Sequence, residues 1–135
     1  MDNNSLAHTK WNCICHIVFI PKYRRKVMYG KVKKDVQEIL KKLCEYKGIE
    51  ILDGTVCADH VHLCVKIPPK FSVSACMGYL KWKSALMIFD RHPEEKAYRD
   101  KHFWAKGYYV DTMGRNEEQV RRYIKDQEET DKSEK

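Results

Sequence analysis

Residues 11–20 read Trp-Asn-Cys-Ile-Cys-His-Ile-Val-Phe-Ile, the most strand-like stretch of the chain. Nearly every position is apolar, and β-branched and aromatic residues are common in it, as they are in strands. Pro21, which cannot donate a backbone hydrogen bond, follows directly and ends the stretch. An apolar run without alternation predicts a central strand that is buried on both faces of a sheet.

A helix and a pair of strands follow this first strand. Residues 31–47 place apolar side chains at helical spacing, and Gly48 ends the pattern. Residues 49–57 and 60–67 are both rich in strand-forming residues, and only a short turn separates them. These ranges predict one helix and then two strands that pair through a tight connection.

The next part of the chain predicts a second helix and a fourth strand. Ser72 or Ser74 can cap a helix that runs to about Phe89. Residues 102–110 have the composition of a strand. Gly107 within this range indicates a bulge or a point of close approach.

A last amphipathic helix is predicted after Asn116, with Gln119 at the capping-box position. From Glu128 the chain is strongly charged, and we expect this tail to fray, so that about residues 6–129 are ordered within one domain, 1–135. The order β-α-β-β-α-β-α predicts an α+β fold: a ferredoxin-like (RNA-recognition-like) antiparallel sheet with helices packed on one face, plus a C-terminal helix. This fold hosts several functions and does not select one.

The composition favours a soluble, basic protein. Hydrophobic residues make up 43% of the 135 positions, and no apolar run approaches the ~20 residues of a membrane span. The stretch Met-Asp-Asn-Asn-Ser lacks the features of a signal peptide, so we expect a cytoplasmic protein with no membrane partner. A formal net charge of +7 indicates a polyanionic partner, for which nucleic acid is the default.

The six cysteines raise the question of disulfides or zinc. No Cys-x-x-Cys pair is present, and most of the cysteines lie within apolar strand or helix patterns. We therefore interpret them as reduced, structural thiols. They are Cys13, Cys15, Cys44, Cys57, Cys64 and Cys76.

The positive charge is clustered after the first strand and on the helices. A run that mixes cations with an aromatic residue is typical of a groove that follows a single-stranded nucleic-acid backbone. Basic helix faces are often only solvated, and that alternative stays open for the helical clusters. The candidate nucleic-acid-binding residues are Lys22, Tyr23, Arg24, Arg25, Lys26, Arg121 and Arg122.

His60 and His62 flank one apolar residue in the third predicted strand. Side chains two apart in a strand project from the same face, so two imidazoles can hold one divalent cation and leave positions open for substrate. Asp59, just before the pair, can orient an imidazole or simply form the turn. The alternative is a pair of surface histidines. A zinc hydrolase would need a third carboxylate or cysteine ligand, which is missing at motif spacing, and no other histidine has comparable spacing.

The last helix carries a second candidate cluster. Tyr123 and Gln127 lie one helical turn apart and share its apolar stripe with Val120 and Ile124. Tyr123 can be a core aromatic residue, but a glutamine at a core position must find a hydrogen-bond partner. A glutamine oxygen beside a tyrosine hydroxyl can instead complete a metal site next to a nucleophile.

Several motifs together resemble those of the single-tyrosine HUH transposases, the very small TnpA-type enzymes of bacterial and archaeal insertion sequences. The likeness extends from about Leu6 to Glu129, nearly the whole chain. The motifs are His60-Val61-His62, the Tyr123…Gln127 helix, Lys22-Tyr-Arg-Arg-Lys26 and Phe103-Trp-Ala-Lys-Gly-Tyr-Tyr-Val110.

The resemblance implies that Tyr123 attacks a single-stranded DNA phosphate, which forms a 5′-phosphotyrosine link and frees a 3′-OH. It implies that His60, His62 and Gln127 hold Mg²⁺ or Mn²⁺, without a nucleotide cofactor. It also implies a homodimer that binds DNA hairpins near the element ends, each active site taking its histidines from one subunit and its tyrosine from the other. One position departs from the family pattern: Trp82 lies between two lysines, where a small residue, typically glycine, is usual.

Two other functions stay open from the sequence. A domesticated relative that acts on repetitive extragenic palindromes, or a relaxase-like nickase, would use the same residues, and flanking insertion ends in the genome would decide. A non-catalytic module on an RNA-recognition-like sheet would carry a Gly-Phe/Tyr-type aromatic motif on a central strand, which we do not find.

Overall fold

The computed structural model describes residues 5–6, 9–10, 13–95, 102–112 and 117–133. The cap expected at Asn116 and the side chain of Gln119 lie outside the described residues. The elements are β1 (Ser5–Leu6), β2 (Thr9–Lys10), β3 (Ile14–Phe19), α1 (Gly30–Lys47), β4 (Glu50–Cys57), β5 (His60–Lys66), α2 (Val73–Arg91), β6 (Tyr109–Asp111) and α3 (Glu117–Ser133), with short 3-10 turns at Lys22–Arg24 and Pro93–Glu95.

The four later strands form one antiparallel sheet in the order β4-β5-β3-β6. β3 pairs with β5 on one side and with β6 on the other, which confirms the central strand. Cys57 of β4 pairs with His60 of β5, so that a two-residue turn joins these strands. The ferredoxin-like α+β fold expected from the sequence is confirmed. β1 and β2 pair separately as a small hairpin.

The alternation of side chains divides the sheet into two faces. Ile17 and Phe19 of β3 belong to the main core, which also contains the buried residues of α1 and α2. Val18 and Ile20 point the other way and pack against Ile124 of α3. Helices α1 and α2 therefore share one face of the sheet, while α3 lies against the opposite face.

The end of α1 and the start of α2 lie where the local sequence predicts them. Gly48 follows α1 with a left-handed φ of 69°, and its N–H donates to the carbonyl oxygens of Cys44 and Glu45. α2 begins after Ser72, whose hydroxyl accepts a hydrogen bond from the Ala75 N–H at 3.0 Å. Of the two candidate serines, Ser72 is therefore the cap.

The strand predicted over residues 102–110 was too long, because only Tyr109–Asp111 pairs as β6. The preceding segment is held by single contacts instead of a continuous ladder. The Ala105 N–H donates to the Ile20 carbonyl oxygen at 2.9 Å. Gly107 then adopts a φ of 77°, which turns the chain before β6.

The expectation of a frayed tail from Glu128 was also wrong, because α3 continues to Ser133. Asp131, within this charged segment, is fully buried. Its carboxylate accepts a hydrogen bond from the Tyr23 N–H at 2.9 Å. A contact with the 3-10 turn after β3 thus holds the end of the helix in place.

All six cysteines are free thiols, as the sequence interpretation held. Cys15, Cys44 and Cys76 are buried, whereas Cys13 is exposed. No helix in the described part of the chain is long and apolar enough to cross a membrane.

Candidate active site

The two histidines of β5 lie on the face of the sheet against which α3 packs. His62 is directly opposite Val18 of β3, and His60 is opposite Cys57 of β4. Paired residues share a face of the sheet, so His60, His62 and Val18 project together. His62 is 8% exposed, and His60 is partly exposed. The prediction that the two imidazoles share one face is confirmed.

Asp59 forms the turn before β5 and also contacts the first histidine. Its Oδ1 lies 2.9 Å from His60 Nδ1, and its Oδ2 accepts a hydrogen bond from Arg24 Nε at 3.0 Å. Burial acts to raise the pKa of Asp59, but the hydrogen bonds from His60 and Arg24 outweigh it and hold the pKa below its usual value. The ionised carboxylate orients the ring so that Nε2 faces away from Asp59, as carboxylates do for metal-binding histidines.

A third imidazole, to which the sequence assigned no role, lies beside this pair. The rings of His16 and His62 are 5.8 Å apart between centroids, edge to face. The Nδ1 atom of His16 is buried and has no hydrogen-bond partner among the described residues. In the β3–β5 register His16 is opposite Cys64, and Val18 is opposite His62. His16 and His62 are therefore diagonal neighbours on the same face of the sheet. Spacing along the chain gives no such signal.

Tyr123 lies on the side of α3 that faces the sheet. Its ring is 6.0 Å from that of Tyr109, and both pack against the cluster around Ile124. The Tyr123 hydroxyl is buried, with no hydrogen-bond partner among the described residues. Burial, and then the nearby negative charge of Asp131, raise the pKa of Tyr123 well above its usual value. In this arrangement the phenol is protonated.

Gln127 contacts both Asp131 and the loop before β6. Its Nε2 donates to Asp131 Oδ1 at 3.3 Å. Its Oε1 would lie 3.9 Å from a Cβ atom added at Gly107, an ordinary van der Waals distance, so the positive φ of this glycine and not a close approach favours its lack of a side chain. Tyr123, Gln127 and Asp131 are spaced four residues apart and therefore share one helix face. That spacing could have identified Asp131, had the tail been expected to be helical.

The basic residues after β3 connect the histidine strand to α3. Arg24 bonds Asp59 and lies 3.9 Å from the Glu128 carboxylate. Lys22 Nζ lies 3.7 Å from Asp131 Oδ1. The first residues of the predicted DNA groove thus take part in contacts within the chain.

Four other predicted DNA-binding residues, Arg25, Lys26, Arg121 and Arg122, are exposed or partly exposed. Arg25 and Lys26 line a cleft of about 730 Å³, together with Lys31 at the start of α1. Lys26 is exposed, and so are Arg121 and Arg122 on α3. These side chains are placed where a polyanion can reach them.

Lys81 of α2 was also missed by sequence reasoning. Its Nζ donates to the carbonyl oxygens of Ala105 and Gly107, at 2.6 and 2.7 Å. Burial lowers the pKa of Lys81 to about 8, although Asp131 acts in the opposite direction. The neighbouring Trp82 is 60% exposed and lies under the Lys83 amine, 4.7 Å from it. The residue that departs from the family pattern therefore points to solvent.

A metal at this site would need an unusual third ligand. Within the described part of the chain, no group of three or more His, Cys, Asp or Glu side chains could hold a metal ion. His60 and His62 would therefore be joined by an oxygen from an amide or from water. The Gln127 side chain offers such an oxygen, and carbonyl-type oxygens suit Mg²⁺ and Mn²⁺. Two imidazoles by themselves favour zinc or another transition metal, so the choice of Mg²⁺ or Mn²⁺ follows from the resemblance and not from these donors.

Comparison with known proteins indicates the same class of protein as the sequence motifs. A family model described as "Transposase IS200 like" matches residues 9–127. The transposase for insertion sequence element IS200 of Salmonella typhimurium is 54% identical over 132 residues, 97% of this chain and 87% of that protein. The ISDra2 transposase TnpA of Deinococcus radiodurans is 30% identical over 115 residues, 83% of this chain and 81% of that protein. The chain belongs to the family of IS200-like transposases, enzymes of DNA cleavage and strand transfer.

Two solved structures share the fold. A crystal structure described as a transposase from Deinococcus radiodurans R1 superposes with a TM-score of 0.84 at 25% identity, covering 91% of this chain and 96% of that one. A REP-associated tyrosine transposase bound to a REP hairpin gives a TM-score of 0.55 at 14% identity, covering 89% and 68%. At that identity the second likeness supports the fold alone.

Proposed function

We propose that this IS200-like transposase cleaves and rejoins single-stranded DNA at insertion-sequence ends through a covalent link to Tyr123. The observation that carries the proposal is the packing of Tyr123 against the cluster around Ile124, on the sheet face that bears His60 and His62. A nucleophile and two candidate metal ligands thereby belong to one side of the molecule.

In the proposed step, the phenolic oxygen of Tyr123 attacks the phosphorus of one phosphodiester. A bond from phosphorus to the tyrosine oxygen forms, and the bond from phosphorus to the 3′ oxygen breaks. That oxygen takes up a proton and leaves as a 3′-OH, while the phenol proton passes to solvent. Because the phosphotyrosine is itself a phosphodiester, attack by a 3′-OH rejoins the DNA without a nucleotide cofactor.

We infer that His60, His62 and Gln127 hold Mg²⁺ or Mn²⁺. When bound, such a cation polarises the scissile phosphate and neutralises its oxygens. A protonated phenol is a poor nucleophile, and the raised pKa of Tyr123 makes this assistance more necessary. Asp59 contributes by holding the ring of His60 in one orientation.

We further infer that the exposed and partly exposed basic residues near the 3-10 turn and on α3 bind DNA hairpins near the element ends. Arg25, Lys26, Arg121 and Arg122 supply cations on exposed or partly exposed surface. Tyr23 can add a stacking surface beside Lys22, whose amine lies 5.5 Å from its ring. The choice of a hairpin follows from the family resemblance, and the REP-associated tyrosine transposase of the same fold is an example of a protein bound to one.

Two copies of the chain are proposed to form a homodimer with shared active sites. In its own chain, the Tyr123 hydroxyl is buried and has no hydrogen-bond partner among the described residues. A nucleophile in such surroundings has to leave them before it can meet DNA. Transfer of the tyrosine to the histidine pair of the second subunit would satisfy that requirement.

The proposal is tested by mixing the protein with single-stranded oligonucleotides of the element ends and Mn²⁺, followed by denaturing electrophoresis. We expect a protein–DNA adduct that survives denaturation, and we expect no adduct with the duplex form or with excess EDTA. Retained hairpin binding without an adduct, at any metal concentration, would favour a non-catalytic binding module.

A further inference from the structure

Asp131 is a carboxylate with no exposed surface, near the end of a polar helix. Removing a charged group from water is costly unless hydrogen bonds or opposite charges compensate it. In a tail that was only solvated, this carboxylate would be exposed to water instead of buried. Its surroundings therefore indicate a specific role.

The described contacts of Asp131 come from the 3-10 turn and from α3 itself. The Tyr23 N–H donates to Oδ2 at 2.9 Å, and the Lys22 amine lies 3.7 Å from Oδ1. From α3 itself, Gln127 Nε2 donates to Oδ1 at 3.3 Å. Lys81 of α2 is close enough for Asp131 to affect its electrostatics. The carboxylate thus joins the 3-10 turn to α3.

The hydrogen bond between Asp131 and Gln127 fixes the orientation of the Gln127 side-chain amide. An ionised carboxylate only accepts hydrogen bonds, so the group that faces Oδ1 must be the amide NH₂. The amide oxygen is then directed away from Asp131, toward the loop at Gly107. Without an acceptor at position 131, the amide could rotate and present NH₂, which cannot bind a cation.

We propose that Asp131 is a positioning residue that presents the Gln127 oxygen to the divalent cation through a contact within α3. This inference rests on the proposed role of Gln127 as a metal ligand. Asp131 itself touches neither the cation nor the DNA.

The substitution Asp131→Asn tests this role. Its new amide can donate to Gln127, which allows the glutamine oxygen to turn inward. We expect Mn²⁺ affinity, measured by titration calorimetry, to fall by about 10- to 100-fold, as it does when groups that orient metal ligands are lost. Asp126→Asn is the matched control, because it makes the same change at an exposed position of α3, and it should leave the affinity unchanged.

A swapped pair separates positioning from simple anchoring. Gln127→Glu combined with Asp131→Asn exchanges donor and acceptor, keeps the net charge and again directs an oxygen away from position 131. We expect the double variant to recover most of the lost Mn²⁺ affinity. A double variant no better than Asp131→Asn alone, in folded protein, would overturn the positioning role.

The metal-free wild type gives a test that needs no variant to fold. One side-chain amide proton of Gln127 should exchange slowly with water in NMR spectra, because Asp131 accepts it. Fast exchange of both protons would overturn the inference. If the amide is protected but Mn²⁺ binding does not respond to Gln127→Ala, the proposed metal role of Gln127 fails while its contact with Asp131 stands.

Discussion

At the scale of the residue, Tyr123 is the proposed nucleophile, but the burial of its hydroxyl raises its pKa and so disfavours the reactive phenolate. A buried hydroxyl without a hydrogen-bond partner costs on the order of 1–3 kcal/mol relative to a satisfied one. Such groups are rare in folded proteins and call for a specific explanation. Here the explanation offered is that the hydroxyl finds its partners only when DNA and metal are bound.

The first prediction concerns the metal ligands. His62→Ala should abolish the Mn²⁺-dependent adduct, because one of two imidazole donors is lost. The protein should stay folded, since His62 lies on the face opposite the main core. Gln127→Ala should give a milder loss, because water can take one coordination position. Adduct yield on a denaturing gel is the measurement.

His102→Ala is the control for this change, because His102 is an exposed histidine outside the proposed site. It should retain the adduct at the wild-type level. Adduct formation by His62→Ala at that same level, or by wild type in excess EDTA, would remove the metal role.

At the scale of the element, α3 is attached differently from α1 and α2. Its apolar contact with the sheet centres on Ile124, which packs against Val18, Ile20 and Ala105. Tyr123 packs against the same cluster, and among the described side chains Asp131 and Glu128 add polar contacts with the 3-10 turn. An element with few buried apolar contacts opens more easily than the core of its protein. α3 can therefore move while the sheet and the other helices stay intact.

The second prediction follows from this attachment. Ile124→Ala should speed amide hydrogen exchange throughout α3, because it removes the main apolar contact of the helix. Exchange in β3, β5, α1 and α2 should stay at wild-type rates. Lys125→Ala is the control at an exposed neighbour. Uniform acceleration across the whole chain would show instead that α3 unfolds together with the core.

The elements that the sequence predicted well are those whose signals are local. The apolar run of β3, Gly48 after α1 and Ser72 before α2 each act within a few residues. The end of α3 could not be predicted in this way, because Asp131 is stabilised by Tyr23, which is 108 residues away in the chain. A charge pattern alone gives no sign of such a contact.

The same distinction applies to the site. Periodicity placed His60 with His62 and Tyr123 with Gln127, because each pair lies within one element. The position of His16 beside His62 depends on strand register, which the sequence does not state. The length of β6 was misjudged because the Lys81 amine takes carbonyl oxygens that a strand would otherwise pair.

At the scale of the whole molecule, the net charge of +7 is divided between internal ion pairs and open surface. Lys22 and Arg24 pair with carboxylates of α3 and the β4–β5 turn, whereas Arg25 and Lys26 border the large cleft. The salt dependence of DNA binding should therefore be set by residues such as Arg25 and Lys26. Loss of Arg24 would instead loosen α3, so it is a poor probe of DNA contacts.

The third prediction concerns this dependence. Replacing Arg25 and Lys26 by alanine should weaken hairpin binding and flatten the slope of log affinity against log salt by about 1 to 2, since each phosphate contact contributes about 0.7–0.9. Replacing Lys41 and Lys42 by alanine removes the same charge from the distant part of α1 and should leave the slope unchanged. Equal effects of both double variants would indicate a non-specific charge effect and no DNA groove beside the turn.

The fourth prediction concerns the proposed sharing of sites between subunits. Tyr123→Phe and His62→Ala chains, each inactive alone, are co-expressed so that mixed dimers form. With shared sites, a mixed dimer has one intact site, and random pairing leaves about a quarter of all sites able to form the adduct. With sites built within one chain, every site has a defect and no adduct forms. Single cleavage is the readout, because full transposition needs two working sites.

The role of Tyr123 is tested most directly by identifying the atom to which DNA becomes attached. The adduct is made with an oligonucleotide labelled at its 3′ end, digested with protease and sequenced by mass spectrometry. We predict that the labelled strand is joined through its 5′ phosphate to the peptide containing Tyr123, that the other fragment ends in a 3′-OH, and that Tyr123→Phe gives no adduct while still binding the hairpin. An adduct on any other residue, or one that persists in Tyr123→Phe, would show that Tyr123 is not the nucleophile.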